Sequence, residues 1–286
     1  MRLPIFFPLL FLATVCSLFG DTHASASNRS LRTRAAVNKP GANRQLFVPV
    51  EVNNVFPYVV ASSSRTTTFY LTNLEDREIK VFCEFVGPNG EESPFAFDFS
   101  ANAEDVTLYT ESNISPFSTA SFHTVSTATE ATTGWAFCQS DSGTDRFSGY
   151  AVVQFTASNG SSREFITPLQ PYEEPIFSVP FTAGASSQTA LLLINITTED
   201  DSTLALWYYD SEGKTVGNGS ITLKPGTVRS ILLNDVFKDV SNGTVRVVRV
   251  EGTTGITGMA LRLNAAGFTA FPVLTPQEAP PAPPQE

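Results

Sequence analysis

Few side chains in this sequence have the types and spacing that catalysis needs. His123 is the one histidine after residue 26, and it follows Phe122 in a strand-like stretch, so we expect a structural or surface role for it. The sequence has no Gly-x-Ser-x-Gly, His-Glu-x-x-His or Cys-x-x-Cys motif and no Gly-rich phosphate loop. Carboxylates are abundant, but no pair stands out as the acid and base of a glycosidase. We therefore predict no enzyme and no cofactor, with a secreted hydrolase as a further alternative.

Trp207 and Tyr209 are the candidates for ligand contact. They alternate with Leu204, Leu206 and Tyr208, and successive side chains of a strand point to opposite faces. If Leu204, Leu206 and Tyr208 face the core, the rings of Trp207 and Tyr209 lie on the outer face of the sheet. Two aromatic rings there can stack on sugar rings or join an interface. We expect them to pack against another domain or beneath a loop, and stacking on a sugar is the alternative.

Two acidic turns occupy matching places in the chain and could bind a metal. They contain Glu75, Asp76 and Glu78 in one case and Glu199, Asp200 and Asp201 in the other. Clustered carboxylates suit Ca²⁺, which prefers oxygen ligands, but no EF-hand spacing is present. We therefore predict solvated turn residues and no metal, with a calcium site at Glu199, Asp200 and Asp201 as the alternative.

Cys83 and Cys138 are predicted to form a disulfide. They lie 55 residues apart in the first half of the chain, and their counterparts in an internal repeat, Leu206 and Val247, are apolar. Export to an oxidising compartment favours the bridge, which would stabilise the fold by about 4 kcal/mol through loop closure. The alternative is two buried thiols. Trp135 precedes the second cysteine by three residues, which argues against a true immunoglobulin domain.

The N-terminal residues predict export. A short basic start precedes a nearly continuous apolar run over residues 3–19, and Ala24-Ser25-Ala26 follows with small residues at the −3 and −1 positions. This pattern is typical of a signal peptide over residues 1–26 that is cleaved after Ala26. A membrane anchor is the alternative, but 17 residues with two prolines are short for a bilayer. We expect a secreted protein, whether extracellular, on the cell surface or in the periplasm.

Charge is distributed unevenly along the chain. The formal net charge of −10 argues against a nucleic-acid partner, which requires a basic face. Residues 27–45 hold five bases and no acid, whereas 12 bases and 27 acids follow. We interpret 27–45 as a basic flexible linker and 276–286 as a Pro-rich tail. No later segment is apolar for 18 residues, so we predict no transmembrane segment in the mature chain.

The body of the chain repeats itself. Residues 81–86 correspond to 204–209 at an offset of 123, and Gly149-Tyr150-Ala151 corresponds to Gly258-Met259-Ala260 at an offset of 109. The difference places a 14-residue insertion between Gly90 and Pro116 of the first copy. An ordered series of matches at this distance indicates a duplicated domain. We predict domain 1 at 46–170 and domain 2 at 171–275.

Short strands dominate each copy. Apolar and polar residues alternate over short stretches, and four Asn-Gly dipeptides, at Asn89, Asn159, Asn218 and Asn242, suit tight turns. Apolar residues follow a helical period only over short stretches, and residues 231–240 are the best candidate for a helix. We therefore predict an all-β fold of two tandem antiparallel β-sandwich domains that arose by internal duplication.

A set of landmarks gives the sequence a resemblance to known modules. These landmarks are Asn195, Gly213, Pro225-Gly226 and Gly258-Met259-Ala260. Residues 46–275 thereby resemble the tandem sandwich modules of secreted bacterial proteins of unassigned function. The resemblance brings no active site with it, and we predict a secreted or cell-surface structural or binding protein without catalysis, whose partner is a surface polymer or a protein. The alternative is a carbohydrate-binding protein that uses Trp207 and Tyr209. Neither of these two functions predicts a particular oligomeric state.

Overall fold

The computed structural model describes eleven segments of the chain. These are residues 54–90, 95–98, 105–107, 109–141, 146–171, 176–184, 187–197, 200–236, 242–252, 255–264 and 267–273. The predicted signal peptide with its cleavage site at Ala26, the predicted linker and the predicted tail lie outside the described residues. No helix in the described segments is long and apolar enough to cross a membrane.

The first eleven strands form two antiparallel sheets. They are β1 (Asn54–Ala61), β2 (Arg65–Asn73), β3 (Ile79–Val86), β4 (Phe95–Asp98), β5 (Asp105–Thr107), β6 (Tyr109–Ile114), β7 (Thr119–Val125), β8 (Thr132–Ser140), β9 (Phe147–Thr156), β10 (Ser162–Pro168) and β11 (Gln170–Pro171). One sheet has the strand order β11-β1-β8-β3-β6, and the other has the order β10-β9-β2-β7-β4-β5. We call residues 54–171 the first module.

The remaining strands form two further antiparallel sheets. They are β12 (Ile176–Thr182), β13 (Ser187–Asn195), β14 (Ser202–Asp210), β15 (Thr215–Leu223), β16 (Val228–Leu232), β17 (Asn242–Glu251), β18 (Ile256–Asn264) and β19 (Gly267–Pro272). Helix α1 (Leu233–Val236) follows β16 and lies inside the segment predicted to contain a helix. The strand orders are β12-β17-β14-β15 and β16-β13-β18-β19. We call residues 176–273 the second module.

The two modules share one topology, and the predicted all-β fold class is confirmed. The order β12-β17-β14-β15 repeats β1-β8-β3-β6, and β16-β13-β18-β19 repeats β7-β2-β9-β10. Strands β4 and β5 have no counterpart in this correspondence, and they lie where the 14-residue insertion was predicted. An origin by duplication stays a prediction, since a shared topology does not by itself establish descent.

Each module buries an apolar core between its two sheets. In the first module Phe56, Phe69, Phe85 and Phe122 are buried together, and the rings of Phe69 and Phe122 stack with centroids 4.8 Å apart. The second core is mainly aliphatic and contains Leu191, Leu193, Leu204, Leu206, Val245 and Val247. These residues come from facing sheets at every second position of their strands, as the alternation predicted.

The predicted disulfide between Cys83 and Cys138 is confirmed. The two residues are direct neighbours across β3 and β8, with Cα atoms 4.1 Å apart, and both side chains are buried. The bridge therefore joins strands of one sheet, whereas the immunoglobulin bridge joins two sheets. Their predicted counterparts, Leu206 and Val247, also lie opposite each other on adjacent strands. A buried disulfide fits an oxidising compartment.

A fully buried asparagine closes the second strand of each module and shapes the acidic turn that follows. The amide nitrogen of Asn195 donates to the backbone carbonyls of Asp200 and Leu223, at 2.9 and 3.1 Å. Its side-chain oxygen accepts a hydrogen bond from the backbone N–H of Thr197. Asn73 makes the corresponding bonds with Arg77, Ile114, Ser115 and Glu75. Both turns are therefore organised by hydrogen bonds inside the protein.

Candidate functional site

Strand β14 presents Trp207 on the outer face of its sheet. Leu204, Leu206 and Tyr208 are buried in the core, whereas 41% of Trp207 is exposed and Tyr209 is half-buried. The predicted orientation of the strand is therefore the one observed. Burial also raises the pKa of Tyr208, because a less solvated environment disfavours the charged form of its hydroxyl.

Polar side chains surround the two rings. Trp207 lies directly opposite Arg246 on β17 and Asn218 on β15, and Ser178 on β12 lies opposite Arg246. The next row across the four strands consists of Pro180, Thr244, Tyr209 and Thr215. We call these eight residues the Trp207 face.

The Trp207 face combines two kinds of binding group. The indole ring offers a flat apolar surface, and aromatic rings of this kind contribute large contact areas at low entropic cost. Amide, hydroxyl and guanidinium groups beside it supply hydrogen-bond donors and acceptors. A ligand that fits this arrangement has one apolar face and a polar rim, as a sugar ring does.

The junction between the modules lies on the other sheet of the second module. Outward residues of β13, β18 and β19 form one apolar cluster with side chains of the first module. The second module contributes Ala190, Leu192, Met259, Leu261, Leu263 and Phe268, and the first contributes Tyr58, Val60, Val153, Phe155 and Phe165. The ring of Phe268 stacks on Phe155 with centroids 5.1 Å apart. Neither Trp207 nor Tyr209 belongs to this cluster.

Polar contacts fix the same junction. The indole N–H of Trp135 donates to the carbonyl of Gly226 at 2.9 Å, and the N–H of Val228 donates to the carbonyl of Pro88 at 2.8 Å. Gly226 has a φ of +70°, and a Cβ there would lie 2.8 Å from the Cα of Gly90. Only glycine permits this approach of two backbones, which gives the Pro-Gly landmark of the second copy a structural role.

The sequence reasoning missed this junction, although a pattern for it exists. Residues 190–194 of β13 are continuously apolar and buried on both faces, whereas 68–72 of β2 alternate between apolar and polar. A continuous apolar run is typical of a strand that is covered on both sides. The equivalent outer face of the first module carries the stacked rings of Tyr70 and Tyr150, and 42% of Tyr150 is exposed.

The other candidate residues are dispersed. Glu75 accepts hydrogen bonds from the backbone N–H and the Nε of Arg146, which lower the pKa of its carboxyl. Asp201 pairs with Lys224 at 2.6 Å, and Glu199 lies outside the described residues. His123 is half-buried on β7. Within the described segments no three His, Cys, Asp or Glu side chains converge on a point where an ion could bind.

Comparison with protein-family models, with curated proteins and with solved structures finds no match to this chain. The resemblance to modules of secreted bacterial proteins therefore stays a prediction.

Proposed function

We propose that this chain is an exported, non-catalytic structural or binding protein in which two β-sandwich modules form one rigid unit. One observation carries the proposal: the two outer faces of the second module have different surroundings. The face of β13 and β18 is buried against the first module, while the face of β14 carries the exposed Trp207. The first module thus holds the second in place, and the Trp207 face is left for a partner.

The proposed location outside the cytoplasm has two supports. The N-terminal pattern predicts cleavage after Ala26, and the buried bridge between Cys83 and Cys138 fits an oxidising compartment. In such a location the available partners are surface polymers and other exported proteins.

Carbohydrate is the second candidate, and the geometry of the Trp207 face favours it among ligands. The side chains of Asn218 and Arg246 flank the ring at positions directly opposite it in the sheet. A pyranose ring stacked on the indole would bring its hydroxyl groups toward these donors. Such a surface makes one shallow contact with a polymer in each chain.

A binding assay with a matched pair of variants tests this proposal. The variant Trp207→Ala removes the exposed ring of the second module, and Tyr150→Ala removes a ring of equal exposure from the first module. Wild type and Tyr150→Ala are expected to bind in a glycan array or an insoluble-polysaccharide pull-down, whereas Trp207→Ala is expected to lose binding. If wild type binds no carbohydrate, or if Trp207→Ala binds as well as wild type, this face is not a carbohydrate site.

A further inference from the structure

We propose that the Trp207 face selects polysaccharides that carry carboxylate groups, such as uronic-acid polymers. This inference rests on the proposed function, because it specifies the ligand of the same face. Its basis is Arg246, which is exposed on β17 directly opposite the indole of Trp207. No ion pair joins Arg246 to a carboxylate of the described residues.

The surroundings of Arg246 contain little negative charge, although the protein is acidic. Its neighbours at outward positions of the four strands are mostly hydroxyl-bearing, amide-bearing or apolar, and they include Ile176, Ser178, Pro180, Thr182, Thr203, Ala205, Thr215, Asn218, Ser220, Thr222, Asn242, Thr244 and Val248. Arg246 is the one cation among the outward residues described on these strands, in a chain whose net charge is −10. An isolated cation beside an aromatic ring is complementary to an anionic sugar.

Two acidic residues among the described part of these strands, Glu251 and Asp210, are distant or turned away. Glu251 lies opposite Thr203, four residues from Trp207 along β14, which corresponds to about 13 Å. Asp210 directs its carboxylate into the hairpin, where it accepts hydrogen bonds from the backbone N–H groups of Glu212 and Lys214. A separation of about 13 Å exceeds the Debye length of about 8 Å at physiological salt. Among the described residues of this sheet, Arg246 is therefore the charged residue directly opposite the indole.

The expected binding mode uses the two groups together. The apolar face of one sugar ring lies on the indole, and the guanidinium of Arg246 donates two hydrogen bonds to the carboxylate of that ring or of the next. Hydrogen bonds to a charged group are stronger than neutral ones, and the difference corresponds to about tenfold to a hundredfold in affinity. Converting the carboxylate into a methyl ester removes this advantage but leaves the stacking surface unchanged.

Titration of the full mature chain with three polymers tests the proposal. The probes are polygalacturonate, its fully methyl-esterified form and a neutral β-glucan. We expect wild type to bind polygalacturonate at least tenfold more tightly than the ester. Arg246→Gln is expected to bind both equally and weakly, and Trp207→Ala to bind neither. Arg163→Gln, which removes an exposed arginine of the first module, is the matched control and is expected to behave as wild type.

The outcomes separate this inference from the proposed function. Equal binding of the acid and the ester by wild type, or unchanged selectivity in Arg246→Gln, overturns the charge selection but leaves carbohydrate binding intact. A loss of selectivity in Arg163→Gln would show nonspecific attraction and also overturns it. Binding of none of the polymers by wild type rejects both proposals. Circular dichroism of each variant checks that the fold is retained, as expected for substitutions at exposed positions.

Discussion

The contact between the modules is testable through two residues that occupy equivalent places in them. Met259 on β18 and Tyr150 on β9 are related by the 109-residue offset. Only 1% of Met259 is exposed, because the first module covers it, whereas 42% of Tyr150 is exposed. Replacing each by alanine therefore truncates a large side chain at a covered site and at an open site of one fold.

The expected magnitudes differ clearly. Truncation of a buried methionine to alanine lowers the free energy of unfolding by about 2–5 kcal/mol. If the modules did not touch, Met259 would lie on an open sheet face, where substitutions change stability by about 0.5 kcal/mol or less. Tyr150→Ala loses mainly the stacking on Tyr70, whose centroid lies 4.9 Å away, and this is worth about 0.5–1.5 kcal/mol.

Equilibrium unfolding in urea measures the free energy of unfolding of both variants, and thermal unfolding measures their melting temperatures. Circular dichroism is one probe and tryptophan fluorescence is the other. Trp135 reports on the junction, because its indole is buried there and bonded to Gly226. At about 2–4 °C per kcal/mol for a chain of this size, Met259→Ala is expected to melt about 4–20 °C below wild type. A loss for Met259→Ala no greater than that for Tyr150→Ala would refute the stabilising junction and the rigid unit that depends on it.

Three further predictions concern the interior and one turn. Asn195→Ala should lower the free energy of unfolding by about 1–3 kcal/mol, since it removes a donor from the buried carbonyl of Leu223 and one of the two side-chain donors to the carbonyl of Asp200; an unchanged urea midpoint would contradict this. Replacing Cys83 and Cys138 together by alanine should cost about 4 kcal/mol in the same assay, and no loss would show that the bridge is dispensable. Glu75→Gln should be less stable than wild type at neutral pH, because the pKa of Glu75 is lowered in the folded state by Arg146. This difference should disappear as the pH falls below the usual value of 4.5 and through the lowered pKa, so a pH-independent difference would contradict the assignment.

Much of the fold could be predicted from the sequence because strand periodicity is a local property. The alternation in 81–86 and 204–209 assigned each side chain to a face, and the structure has the same faces. The repeat alignment paired Cys83 with Leu206 and Cys138 with Val247, and both pairs are direct neighbours across adjacent strands. A one-residue error in either alignment would have reversed the faces, so this agreement tests the register as well as the fold class.

The module junction could not be predicted in the same way, because it depends on surfaces that meet far from each other in sequence. The apolar run at 190–194 indicates cover on both faces but does not identify what covers the outer one. The indole N–H of Trp135 reaches Gly226, which lies 91 residues away. Only the path of the chain brings them together. The exposure of the Trp207 face also depends on the path of the chain, because the first module covers one sheet of the second module and leaves the other sheet open.

The two modules differ at equivalent positions of their outer faces. Where the second module has the apolar Leu192 and Met259, the first has Tyr70 and Tyr150, whose hydroxyl groups allow the rings to remain in contact with water. The open outer face of the first module is therefore not a copy of the buried one. The position equivalent to Trp207 in the first module is an exposed Glu84. Each chain thus carries the Trp207 face once, so strong adhesion to a polymer would require several chains bound side by side.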